Sequence, residues 1–252
     1  MSPFWYTIDT MQRLYGGDYK AFALFGPVHL FWLGLCAVLC CGGFFGFRRL
    51  GDRGRRRVLA VLTFLLLADE LLKDISSLAT GQFVWQFLPF HLCSINLFIC
   101  LWYSLRPNPI AAEVLYALSL PGALAALLFP SWQSVPIWNV MHLHSSTVHI
   151  MLVLYPVLLL GGGFRPSARR LPAVFGVLVL DTIAAALCNH FLGTNFMFLR
   201  GAYGNAALEA IQSFFGPAYI LGLLLIVFAV WLVLYLPWTA AALHRKKHPA
   251  CN

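Results

Sequence analysis

The sequence predicts an all-α, polytopic membrane bundle of about seven transmembrane helices, and three observations carry that expectation. Of the 252 residues 60 % are hydrophobic and 10 % charged, and the mean hydropathy is +0.78, whereas soluble domains carry about 25 % charged residues. The apolar residues fall into runs of about 20, the length a helix needs to cross a hydrocarbon core of about 30 Å. Those runs are too long and too uniformly apolar for barrel strands, which alternate over about ten residues.

The spans are expected at about 21 to 47, 58 to 80, 88 to 105, 110 to 130, 140 to 161, 171 to 192 and 214 to 238, within one membrane domain covering 1 to 252. Residues 1 to 20, MSPFWYTIDTMQRLYGGDYK, lack the basic segment and short apolar run of a cleavable signal and read as an exposed or interfacial arm with aromatic anchors. Span one holds Cys40 and Cys41 near one end, where packing and palmitoylation are both open. Span two carries ADELLKDISS, in which Lys73 can pair with Asp69 or Glu70 on one helical face. Span three opens on LPFHLC, and Pro89 suits its first helical position because the missing N–H needs no partner there. Span four has Glu113 at an interfacial end and Pro121-Gly122 where it can bend. Span five begins NVMHLHSSTVH, and span six holds Asp181 and ends LCNHFLGTNF. Span seven is followed by the basic residues Arg245, Lys246 and Lys247 in the tail 239 to 252.

Charge sorts the loops. Thirteen basic residues (Arg48, Arg49, Arg53, Arg55, Arg56, Arg57, Arg106, Arg165, Arg169, Arg170, Arg245, Lys246 and Lys247) fall on one side, against Arg13, Lys20 and Arg200 on the other. The positive-inside rule then puts the N-terminus outside and the C-terminus inside, in the cell membrane. The net charge of +8 is a topology signal and an attraction to anionic lipid, not a nucleic-acid patch. Seven cysteines, mostly within spans, imply no disulfide framework.

Polar and ionisable groups within lipid are costly, so they face protein or a wet cavity and mark function or fixed packing. The topology gathers them at the outer side: Asp69, Glu70, Lys73 and Asp74 of span two, His91 and Cys93 of span three, His142, His144 and His149 of span five, and Asn189 and Asn195 around the end of span six. An outward cavity lined by spans two, three, five and six is the expected arrangement.

Within that cavity Cys93 stands out. It lies near a helix N-terminus, where free N–H groups and the positive end of the dipole favour a thiolate and a developing oxyanion. His91, two residues away, points about 200° round the helix. His142, Ser145 and His149 share a face of span five, whereas His144 points elsewhere. Each residue also has a bland reading, as a packed thiol or a hydrogen-bonded core histidine. The histidine spacing matches no HExxH motif or CxxC pair, so no metal is expected.

LPFHLC, a histidine-bearing span five ending VHIMLVLYP, and NHFLGTNFMFL occur in that order. Together they resemble the YwaF-like bacterial integral membrane proteins, relatives of transmembrane protein 164, over residues of about 60 to 235. The resemblance implies a fold related to the androgen-induced protein 1 type of lipid hydrolase and a phospholipid acyltransferase activity that uses a cysteine. It makes Cys93 the nucleophile and His149 the histidine, with His142 or His144 open for the same role.

The expectation is a lipid acyltransferase, transacylase or hydrolase acting through an acyl-thioester on a membrane phospholipid or lysophospholipid, with no cofactor. His91, His142, His144, Asn189, Asn195, Asp69, Glu70, Lys73 and Asp181 are candidates for catalysis or substrate binding. The alternative is an outward-facing small-molecule binding or transport protein with a charged intramembrane cavity.

Overall fold

The protein is described by a computed structural model covering residues 2–16 and 19–247, with side chains to residue 241. The side chains of Arg245, Lys246 and Lys247, and Cys251 altogether, lie outside the described residues. Helices run α1 (Ile8–Tyr15), α2 (Pro27–Arg48), α3 (Asp52–Ala79), α4 (Leu92–Leu105), α5 (Pro109–Val114), α6 (Leu120–Leu128), α7 (Val140–Gly161), α8 (Leu171–Leu192), α9 (Ala206–Phe215) and α10 (Tyr219–Lys247). No strand occurs among the described residues. The helix ends follow the local chemistry. Pro27 and Pro109 open α2 and α5, the Asn108 side chain caps the Ala111 N–H, and Gly193 ends α8 in the left-handed conformation at φ 67°.

Among the described residues, six helical segments are long and apolar enough to cross a membrane: Pro27–Arg48, Trp85–Leu105, Pro109–Leu128, Val140–Gly161, Ala168–Leu192 and Ala206–Ala241. They fall on six of the seven expected spans. The chain is a multi-pass helical membrane protein. The seventh expected span is α3, a continuous 28-residue helix. Asp69, Glu70, Lys73 and Asp74 keep its composition below that of the other six, although at about 1.5 Å per residue it has ample length.

The core is built around α7, which packs on α2, α3, α4 and α6. Leu66, Leu97, Cys100, Leu152 and Tyr155 close that centre. A second cluster, with Tyr116, Ala117, Trp231 and Tyr235, joins α10 to the α5–α6 span.

Two prolines inside spans explain how the helices are keyed together. Pro156 cannot bond the Leu152 carbonyl one turn back, and the Ser119 hydroxyl donates to that oxygen at 3.1 Å. Pro121 likewise frees Ala117, whose carbonyl accepts the Trp231 indole N–H at 3.0 Å. In a hydrocarbon setting an unpaired carbonyl is expensive, so each proline selects a polar partner from its neighbour. Ser119 reaches Leu152 from a π-helical turn at Leu115–Ser119, which rotates it toward α7. Trp231→Phe keeps the packing but loses the donor. It is expected to destabilise the protein by about 1–3 kcal/mol, read as a lower unfolding midpoint in detergent.

The two ends of the bundle differ. At the arginine-rich end, Arg55 donates to the carbonyls of Phe47, Arg48 and Gly162, tying together the ends of α2, α3 and α7. Glu113, read as interfacial, is fully buried by neighbouring protein. It accepts from the Ser167 N–H, Arg170 and the Tyr235 hydroxyl at 3.0, 2.8 and 2.5 Å. Hydropathy reports depth along the span but not the chain that folds over it. At the opposite end the N-terminal segment, read as an exposed or interfacial arm, packs partly on the bundle: Met11 is buried in a cluster with Phe22, Trp132 and Val140, Gln82 donates to the Trp5 carbonyl, and Leu14 and Tyr15 stay exposed. The apolar face of α1 needed a partner that a hydropathy reading does not supply.

Candidate functional site

A cavity of about 300 Å³ lies at the end opposite the arginines, walled by α4, α6, α7, α9 and the loop after α8. His91, Cys93, Asn96, Ser119, Ser131, His149 and Asn205 are its polar lining, set in an apolar wall that includes Gly122, Ala123, Ala125 and Ala126. Of the four expected wall spans, three and five contribute directly. Span six contributes only through its following loop, at Met197 and Phe198, and span two stands behind the wall. Span four and the lead-in to span seven, absent from the expectation, supply much of the lining. Hydropathy fixes depth and is blind to which helices touch.

Cys93 sits closer to the helix start than the sequence indicated. Helix α4 begins at Leu92 with His91 as the residue before it, so Pro89 lies outside the helix and does not open it. The first intrahelical bond runs from the Ile95 N–H to the His91 carbonyl, at 3.1 Å. The N–H groups of Leu92, Cys93 and Ser94 therefore have no acceptor within the helix, as at any helix N-terminus.

The three span-five histidines separate by partner. His149 lines the cavity, stacks on Trp132 at 5.2 Å and 15°, and its Nδ1 lies 2.6 Å from the Ser145 carbonyl. A carbonyl only accepts, so the proton is on Nδ1 and Nε2 keeps its lone pair. His142, fully buried, accepts the Trp32 indole N–H at 2.8 Å on Nε2 and meets Phe22 edge-on, outside the cavity lining. His144 faces α3, 3.2 Å from Asp69 and 3.5 Å from Glu70.

The span-two charges form one chain. Thr147 and His144 bond Asp69, His144 reaches Glu70, and Lys73 pairs with Glu70 at 2.7 Å and Asp74 at 3.2 Å. None of them lines the cavity, but Glu70 is within electrostatic range of both Cys93 and His149.

The remaining candidates hold the wall. Asn189 binds both the N–H and the carbonyl of Phe196, at 2.6 and 3.1 Å, while Asn195 binds the Arg200 N–H and the Gly201 carbonyl. These bonds hold Met197 and Phe198 in left-handed conformations, φ 55° and 56°, which only a surrounding network sustains in non-glycine residues. The Met197 N–H then meets His91 Nδ1 at 3.3 Å, and Gln86 lies 2.7 Å from His91 Nε2. His91 is thus engaged at both nitrogens. Asp181 is buried within α8, away from the cavity lining, and neither of its carboxylate oxygens has a hydrogen-bond partner among the described residues.

Asn96, Ser119, Trp132 and Asn205 are site residues that the sequence reading passed over. Asn96 carried a signal, standing three residues after Cys93 on the same helical face. The others come from segments whose lateral position no periodicity reports. Among the described residues, no group of three or more His, Cys, Asp and Glu side chains is placed to hold a metal ion.

No curated protein and no solved structure matches the chain. A family model does match, over residues 24–235, which takes in α2 as well as the segment from 60 onward that carries the sequence motifs. With that match spanning most of its length, the chain belongs to the TMEM164 family.

Proposed function

We propose that the protein moves or hydrolyses a fatty acyl chain of a membrane phospholipid through a thioester on Cys93, with His149 as the base. The observation that carries this reading is that Cys93 and His149 line the same cavity, and that His149 has its Nδ1 proton fixed on Ser145. The free Nε2 takes the thiol proton as sulfur attacks the ester carbonyl. The oxyanion is received by the N–H groups at the start of α4, worth several kcal/mol in a site of low dielectric. The lysolipid leaves with the proton from His149. A lysophospholipid hydroxyl or water, deprotonated in turn by His149, then resolves the thioester.

A phospholipid donor needs no activated cofactor and no metal. Small residues on α6 leave room for an acyl chain, and the apolar wall suits one. Asp69, Glu70 and Lys73 act from behind the wall, setting the field at Cys93 and His149, while Asn189, Asn195 and His91 hold the loop beside them. The arginine-rich loops at the far end support an N-terminus outside, a C-terminus inside and α3 as a seventh span, with the cavity at the outer leaflet of the cell membrane.

A carrier reading draws on a second cavity of about 540 Å³, which Asp69, Lys73, His144 and Thr147 line beside α2. Its charges pair with one another, which favours a packing role.

The acylation reading is tested by intact-protein mass spectrometry after incubation with mixed phospholipids. A fatty-acyl mass added to the wild type and removed by neutral hydroxylamine is expected. Monodisperse protein whose Cys93 alkylates readily but never acquires that mass would sink the proposal.

A further inference from the structure

The bonding at the cavity wall bears on what resolves the thioester, and this inference rests on the acylation reading above. Asn96 is 2 % exposed, lines the cavity, and receives no hydrogen bond at Oδ1 from any described residue. A buried acceptor without a donor is destabilising by about 1–3 kcal/mol, and such groups mark places where a ligand or water completes the bonding. Asn96 stands one helical turn beyond Cys93, so its amide and the thiol share a face.

The cavity offers two further acceptors. His149 Nε2 is one, because the ring proton is on Nδ1. The Ser119 oxygen is the other, because its own proton goes to the Leu152 carbonyl. A buried water needs two to four polar partners, and Asn96, His149 and Ser119 line the same cavity. A molecule with two O–H protons matches Asn96 and His149 together. The single free hydroxyl of a lysophospholipid, once engaged with His149, leaves Asn96 unmatched.

We infer that Asn96 holds the water that hydrolyses the Cys93 thioester, so that hydrolysis is an activity of this cavity separable from acyl transfer. The water donates one hydrogen bond to Asn96 Oδ1 and gives its other proton to His149 Nε2. Its oxygen bonds to the thioester carbonyl carbon. The carbon–sulfur bond breaks, the Cys93 sulfur takes the proton back from His149, and a free fatty acid leaves. A lysophospholipid hydroxyl entering the cavity displaces this water and resolves the same thioester to a phospholipid.

The test uses purified full-length protein in mixed micelles, with and without added lysophospholipid, following acyl adduct, free fatty acid and newly acylated phospholipid together. In Asn96→Ala and in the volume-matched Asn96→Leu, the ratio of fatty-acid release to phospholipid formation is expected to fall at least about tenfold, in line with the rate lost when a reactant is mispositioned. Asn96→Ser, which keeps an oxygen acceptor, should recover part of the hydrolysis. Equal losses of hydrolysis and transfer, an unchanged product ratio, or failure of both acceptor-less variants to fold while Asn96→Ser shows no distinct hydrolysis defect overturns the assignment. If the wild type forms no adduct at all, the thioester itself fails. That result is distinct from an adduct whose decay ignores Asn96.

Discussion

Cys93→Ala is expected to lower phospholipid turnover by about a thousandfold or more and to erase the acyl adduct, while the purified protein stays folded. The magnitude follows from what the residue does: removal of a covalent nucleophile takes away the whole acylation path, and in a serine protease the comparable change costs about 10⁶ in kcat. Folding should survive because Cys93 borders a cavity and is only half-buried. Cys100, about two turns further along α4, is fully buried in a cluster with Leu97 and Tyr155. Alanine there is expected to loosen packing without touching the adduct, and it serves as the internal control. Cys93→Ser sharpens the result. A serine adduct is an oxygen ester, which resists the neutral hydroxylamine that cleaves a thioester, so any residual adduct should change its chemistry. Turnover that persists in Cys93→Ala at wild-type rates rules out the covalent route.

The second large effect belongs to His149. His149→Ala should slow adduct formation by about 10²–10⁴-fold, the usual contribution of a positioned general base. His142→Ala and His144→Gln make the comparison decisive, since the three histidines lie within eight residues of one helix. His142 is engaged with Trp32 and Phe22, so its loss is expected to lower the unfolding midpoint and leave the rate of acylation within about threefold. His144 bonds Asp69 and Glu70, and its glutamine variant should change the rate about tenfold at most, through the charges behind the wall. Initial rates of adduct formation across the three variants check this order. A larger kinetic loss at His142 than at His149 would overturn the assignment of the base.

Much of this protein was legible in its sequence. The length and apolarity of the runs dictate helices, because a backbone in hydrocarbon must satisfy its own hydrogen bonds. The six apolar helical segments fall on expected spans, and α7 and α8 match at both ends. The pairing of Lys73 with Glu70 was readable from i,i+3 spacing, and the helix-start position of Cys93 from the chain around Pro89, although the helix begins three residues later. These properties are local, fixed by one helix and its solvent.

What only the tertiary structure decided is lateral. Three histidines on one span share their hydropathy and lie within about 10 Å of one another along the helix, and their neighbours separate their roles: Trp32 for His142, Asp69 for His144, and Trp132 with the cavity for His149. Likewise, Pro156 and Pro121 reveal in sequence that two carbonyls are freed, but not that Ser119 and Trp231 fill them. Asn189 and Asn195, polar and well placed in depth, are engaged in folding a loop, while Asn96, inside an apolar run, faces the cavity. The physical reason is that hydropathy and periodicity measure each helix against its surroundings, whereas a site is made by the packing of several helices against one another, which depends on shapes and partners distant along the chain.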